Sequence, residues 1–242
     1  MPCHIIYNMK RIKLQVIFTN IIIIAVLGLL FLTTLYTGTA PAFSEKNPAV
    51  YFGNRNSSNV CFMFNVYSGG EFIEPIMQTF SDLGFSTTFF VGGIWAEKNM
   101  ALVEKMHSLG FEVANHGYLH RDADKLSVER NREEILITER LLAQVIGANP
   151  VKLFAPPSGA IGNNMFAACK ALDYKVIMWS RDTIDWRDHD SRLILSRATK
   201  SLAGGDLVLM HPTKSTLDAL EQVLEYTKGL GLRAATVSQT LA

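Results

Sequence analysis

The chain has 242 residues, a net charge of +1 and 48% hydrophobic residues. That length suits one catalytic-sized domain with an appendage, and the near-neutral charge gives no basis for a nucleic-acid partner. Three cysteines, Cys3, Cys61 and Cys169, are too few for a disulfide framework; Cys61 and Cys169 sit among apolar residues and read as buried free thiols.

The appendage is N-terminal. A basic segment, residues 1–14, carries Lys10, Arg11 and Lys13, and residues 15–37 are almost wholly apolar, with Ile21-Ile22-Ile23-Ile24 at their centre. About twenty such residues in a helix span a bilayer's hydrocarbon core, and the preceding positive charge orients the start of the chain towards the cytoplasm. The expectation is a single-pass signal anchor in the cell membrane with the remainder extracytoplasmic. The alternative is a secreted chain cleaved near Ala42, where Ala40-Pro41-Ala42 offers small residues. Residues 38–58 are polar and read as a linker.

From residue 59 to 242, short apolar runs alternate with longer amphipathic ones. The predicted strands are 60–65, 86–91, 111–114, 151–155, 175–179, 206–210 and 232–237. The predicted helices are 72–83, 98–109, 127–146, 164–172, 191–202 and 217–230, several of them stopped by glycine. Such alternation implies a parallel α/β sheet, either a distorted, incomplete (β/α) barrel or an open doubly wound sheet. No glycine-rich phosphate loop follows the first strand, which argues against a nucleotide site. In a barrel, functional residues collect at the C-terminal strand ends. Asn65, His116, Ala155, Asp185 and His211 fall at or just after predicted strands.

His116 and His120 stand four apart in Asn115-His116-Gly117-Tyr118-Leu119-His120. On one helical turn that spacing brings both imidazoles to one side, where they could share a metal. Read alone, the pair is a modest signal. Ala155-Pro156-Pro157-Ser158-Gly159, Asp182-Thr183-Ile184-Asp185-Trp186 and Leu209-Met210-His211 follow in order. This series resembles the polysaccharide deacetylases of the NodB-homology, carbohydrate esterase 4 type, and in its Asn-Val and Ala-Pro-Pro-Ser-Gly segments a sporulation-associated branch of them. The resemblance covers about residues 59–241. It implies a barrel of that type and a metal-dependent hydrolase that removes acetyl groups from N-acetylated cell-wall glycan, most naturally peptidoglycan. His116 and His120 would bind a divalent metal, with zinc the expected one. His211 would be the general acid, tuned by Asp185. Pro157, Trp186 and Leu209 would contact the sugar or its acetyl group.

The first motif departs from the pattern. Aligned on Phe64, the family's base and metal aspartates fall on Asn65 and Val66. Asparagine cannot accept a proton from water, and valine can neither accept one nor ligate. The third motif's arginine is Ala155. Glu71, Glu74, Asp122 and Asp124 are the carboxylates near enough in sequence to stand in. Two functions therefore compete: a working deacetylase with a substitute base, and a pseudoenzyme that binds glycan without turnover.

Overall fold

The structure, a computed structural model, describes residues 17–29 and 48–242. It falls into two compact units divided at Asn47 and Pro48. In the first, residues 17–29 form a helix, α1, with exposed side chains. No helix among the described residues is long and apolar enough to cross a membrane. The basic segment, the rest of the expected 15–37 span, the Ala42 cleavage site and residues 38–47 of the expected linker lie outside the described residues.

The second unit is built on β1 (Asn59–Val66), whose side chains are buried on both faces, as a strand central to a parallel sheet requires. The remaining strands are β2 (Thr88–Val91), β3 (Glu112–Asn115), β4 (Leu153–Phe154), β5 (Lys175–Val176), β6 (Arg181–Asp182), β7 (Leu207–Met210) and β8 (Arg233–Ala234). Their order is β5-β4-β3-β2-β1-β7-β6, with β8 pairing the start of β1. All these pairings are parallel. The path ends on two edges, β5 and β6, and does not close. The incomplete barrel expected from the sequence is the architecture observed.

Side-chain alternation along each strand sorts the core into two faces. Val60, Phe62, Phe64 and Val66 of β1 join Phe89, Val91, Val113, Val208 and Met210 in one cluster. This outer face packs against α2 (Gly70–Asp82), α4 (Met100–Ser108), α8 (Ser191–Thr199) and α9 (Lys214–Gly229). Cys61 and Met63 join Phe90, Ala114, Ala155, Leu207 and Leu209 in a second cluster inside the curl of the sheet. Burial pushes the Cys61 thiol up to about 12, with repulsion from Glu112 adding to it, and pushes Cys169 to about 12 as well. Both cysteines are free and buried, as expected.

The longest helix, α5 (Val128–Ile146), has the ends its sequence announces. The Ser127 side chain accepts from Arg130 N, and Gly147 closes the helix in the left-handed region at φ 68°. Three expectations need correction. The helix expected over 98–109 is α4, but a short helix that was not expected, α3 (Gly93–Lys98), precedes it, the two parted at Asn99, whose side-chain Nδ2 donates to Trp95 O and whose backbone leaves helical geometry. The final strand does not reach Val237. Thr236 and Gln239 form a reciprocal capping box that starts α10 (Val237–Leu241). Residues 48–58, expected as linker, belong to the compact unit. Val50 bridges Ile177, Phe52 bridges Asp206, and Gly53 lies so close to the Thr240 carbonyl that no side chain fits there.

Asp206 ties this strap to the sheet. Its side chain is 1% exposed and accepts from Arg55 Nη1 at 2.7 Å, Arg181 Nε at 2.8 Å, Ser180 Oγ at 3.1 Å and Ala203 N at 3.0 Å. Asp206→Ala removes the buried member and leaves two arginines that can reach water. The expected loss is about 1–3 kcal/mol, read as a lowered urea midpoint with an unchanged slope.

Candidate functional site

On β1, β3 and β7 the inner-face column leads to the strand's C-terminal end. On β1 it passes from Cys61 and Met63 to Asn65, on β3 from Ala114 to His116, and on β7 from Leu207 and Leu209 to His211. Adjacent pairing of β1 with β2 and β7, and of β2 with β3, sets these ends side by side. Asn65, His116 and His211 are thereby brought to one end of the curl.

His116 is 1% exposed, and its Nδ1–H donates to Ala155 O at 2.7 Å. That bond fixes the tautomer and leaves Nε2 as a lone-pair acceptor. Burial, reinforced by repulsion from neighbouring His120, holds the His116 pKa down at about 3, so the ring is neutral at any ordinary pH. His120 is also shifted down, chiefly by burial. The two rings meet edge to face with centroids 5.1 Å apart. No helix produces this meeting, contrary to expectation. Gly117 at φ 73° and His120 at φ 54° fold the segment into a left-handed loop. Asn115 Oδ1 accepts from Gly117 N at 2.9 Å, and Glu134 on α5 accepts from Tyr118 N at 2.8 Å and Leu119 N at 2.7 Å. Sequence reasoning missed Asn115 and Glu134 as loop supports. Asn115 was legible as a turn-forming residue beside the motif, whereas Glu134 is distant in sequence and only the fold brings it near.

Asp185 opens a short helix, α7 (Asp185–Asp188), three residues beyond β6, and is wholly buried. One carboxylate oxygen accepts His211 Nδ1–H at 2.8 Å; the other accepts His211 N and Thr216 Oγ1, each at 2.6 Å. Arg197 Nη1 donates to Thr183 O at 2.9 Å beside it. A buried carboxylate with three donors holds the imidazole in one tautomer and orientation. Thr216 was not foreseen, because it comes from the first turn of α9, after the last motif.

Of the expected sugar contacts, Trp186 is 55% exposed and free to stack on a ligand. Leu209 is buried in the inner cluster and Pro157 is buried against the Gly117 loop, so both support the site from beneath. Ser158, next to Pro157, is held at φ 55°.

The base and metal positions hold no carboxylate. Asn65 is 5% exposed, and its buried Oδ1 has no hydrogen-bond partner among the described residues. Val66 is fully buried in the outer-face cluster with Ile73 and Trp95. Among the described residues, no group of three or more histidine, cysteine, aspartate or glutamate side chains is placed to hold a metal. Glu71 and Asp124 are exposed, Glu74 pairs with Lys105 at 2.9 Å and Asp122 with Lys125 at 2.7 Å, so none completes a set with His116 and His120. A catalytic zinc centre wants three protein ligands and an open position. The donor set here does not fit one, although the two expected histidines do come together.

The His211 support is testable without turnover. Asp185→Ala strands three donors and is expected to cost about 3 kcal/mol in urea unfolding; Thr216→Val removes one and is expected to cost about 1 kcal/mol.

Comparison with known proteins places this geometry. The family model for polysaccharide deacetylase matches residues 53–177. The uncharacterized protein YlxY of Bacillus subtilis (strain 168) is 32% identical over 192 residues, covering 79% of this chain and 60% of YlxY. A peptidoglycan-N-acetylglucosamine deacetylase of Bacillus cereus is 31% identical over 192 residues, covering 77% of this chain and 89% of that protein. Among solved structures, BA3943 of Bacillus anthracis, described as a CE4 family pseudoenzyme, superposes with a TM-score of 0.77 at 29% identity, covering 80% of this chain and 69% of that one. A mutant of BA3943 is described as having restored enzymatic activity.

Proposed function

This chain belongs to the polysaccharide deacetylase family, and we propose that within it the chain holds N-acetylated cell-wall glycan without hydrolysing it. One observation carries the reading: the two positions that would activate water are an amide and a valine packed into the core. Hydrolysis of an acetamide needs a nucleophile made from water and a proton for the departing amine. The His211–Asp185 pair is built to supply the second. Nothing in the described donor set supplies the first. Removing members of a unit of this kind typically costs several orders of magnitude in rate.

The proposed ligand is peptidoglycan or a related N-acetylated polymer. The Bacillus cereus relative is named for the N-acetylglucosamine of peptidoglycan, which supports that class. Trp186 offers an exposed aromatic face for a sugar ring, with its apolar body and polar edge suited to the task. The apolar 15–37 segment, with Lys10, Arg11 and Lys13 before it, would hold the domain at the outer face of the membrane, where that polymer lies. The resemblance to the sporulation branch suggests use in a spore-forming cell.

The intact acid pair favours a second reading, residual deacetylation with a base brought by the ligand or by a rearranged carboxylate. The first reading is tested by calorimetry with tetra-N-acetylchitotetraose. Wild type is expected to bind, and Trp186→Ala to bind about fivefold more weakly, equivalent to about 1 kcal/mol of lost stacking. An absence of binding to this oligomer and to peptidoglycan fragments would contradict the proposal.

A further inference from the structure

The exposed Trp186 is carried by a turn that cannot hold itself. α7 is a single helical turn, with too few internal hydrogen bonds to offset the order it imposes. Both its flanks lie in the left-handed region, Ile184 at φ 54° before it and His189 at φ 47° after it. For a β-branched residue such as Ile184 that backbone is strained, and it persists only where neighbours hold it. The near flank is held by the sheet. Thr183 donates from N and Oγ1 to Leu209 O on β7, at 3.3 and 2.8 Å, and Asp182 Oδ1 accepts Ile184 N at 2.8 Å. The far flank is reached from α8. There the Arg197 guanidinium donates Nη1 to Thr183 O at 2.9 Å and pairs through Nη2 with Asp188 Oδ2 at 2.6 Å. Its two prongs span from the residue before Ile184 to the last residue of the turn. Arg187 pairs with the same carboxylate at 2.6 Å, but it belongs to the turn and anchors it to nothing outside. Hydrogen bonds from Arg187 and Arg197 hold the Asp188 carboxyl well below the usual carboxylate range, so it stays charged at neutral pH and far into acid.

We propose that Arg197 is a positioning residue for the glycan-binding face: its guanidinium keeps the strained turn closed, and the closed turn presents the Trp186 ring in one orientation. The inference rests on the reading of Trp186 as a sugar-stacking surface given above. A ring already held in its bound orientation loses less freedom when a ligand arrives, and the difference appears as affinity. The planar fork of arginine suits the task, because one rigid group meets a carbonyl and a carboxylate at once. Arg197 acts through Trp186 and contacts no sugar, so its effect on affinity vanishes when the Trp186 ring is removed.

The test combines two measurements on the full chain. Labelled with 5-fluorotryptophan, the chain carries fluorine at Trp95, Trp179 and Trp186, and the Trp186 NMR signal is assigned with Trp186→Phe. Arg197→Met keeps the apolar stem and removes the guanidinium. It is expected to move the Trp186 signal towards that of free fluorotryptophan and to leave the other two in place. An unmoved Trp186 signal overturns the proposal, as does movement of all three, which marks general disruption. The second measurement is calorimetry with tetra-N-acetylchitotetraose, an uncharged ligand that does not sense the lost charge. Arg197→Met is expected to bind it about threefold more weakly than wild type. On a Trp186→Ala background the same change is expected to weaken binding no further, because the two residues act as one. Losses that multiply overturn the proposal. The control is Asp206→Ala, a destabilising change at the opposite end of β7 from His211. It should bind as wild type does, and a matching loss there overturns the proposal as well. Should Arg197→Met fail to fold, the near-isosteric Asp188→Asn weakens the same bracket: a moved Trp186 signal supports the proposal and an unmoved one overturns it. Absence of binding by wild type would remove the glycan reading, while the fluorine comparison still decides whether Arg197 holds Trp186.

Discussion

The site depends on the alternation of side chains along β1. This strand pairs with β2, β7 and β8 at the centre of the sheet, and where its residues point decides the base and metal positions. Its inner column ends on Asn65, while its outer column ends on Val66 among Ile73 and Trp95. The first motif is therefore more than a pair of lost charges. Valine at 66 has been taken into the hydrophobic core, where a full side chain of that size contributes on the order of 2 kcal/mol. An unpaired carboxylate in the same place would carry a desolvation penalty of several kcal/mol. Packing now favours the residue that chemistry would have to remove.

The two halves of the site answer to different constraints. The acid half survives because Asp185 also has structural work. Its carboxylate binds the backbone of His211 at the end of β7 and the hydroxyl of Thr216 in the first turn of α9, joining α7, β7 and α9 through one buried group. Losing that carboxylate would leave donors unmet whether or not any reaction takes place. Persistence of the His211–Asp185 pair is accordingly weak evidence of turnover. The histidine pair is held just as firmly, by Ala155 O, Asn115 and Glu134. The base and metal positions have no such second duty, and there the chain has departed from the family.

Much of this was legible in the sequence. The strand–helix alternation predicted a parallel sheet, the motif resemblance an incomplete barrel, and the ordered motifs predicted that His116, His120, Asp185 and His211 would gather at one end of it. Ser127 and Gly147 announced the ends of α5 by their capping chemistry. What escaped was either local competition or long-range contact. The short helix α3 before Asn99 went unforeseen, and Thr236 with Gln239 capped a helix where apolar residues suggested a strand. The strap at 48–58 looked like linker because its polar residues pair with the sheet through Asp206, 151 positions beyond Arg55. Glu134 and Thr216 carry no motif, and their importance follows only from what the fold sets against them.

The most direct measurement is acetate release from N-acetylglucosamine oligomers and from peptidoglycan, with the full chain, added zinc and the His211→Ala variant alongside. Retained glycan binding with no acetate above background from either protein is the predicted result. Release by wild type that His211→Ala abolishes would contradict the account, since it would require a water-activating group that Asn65 and Val66 do not provide.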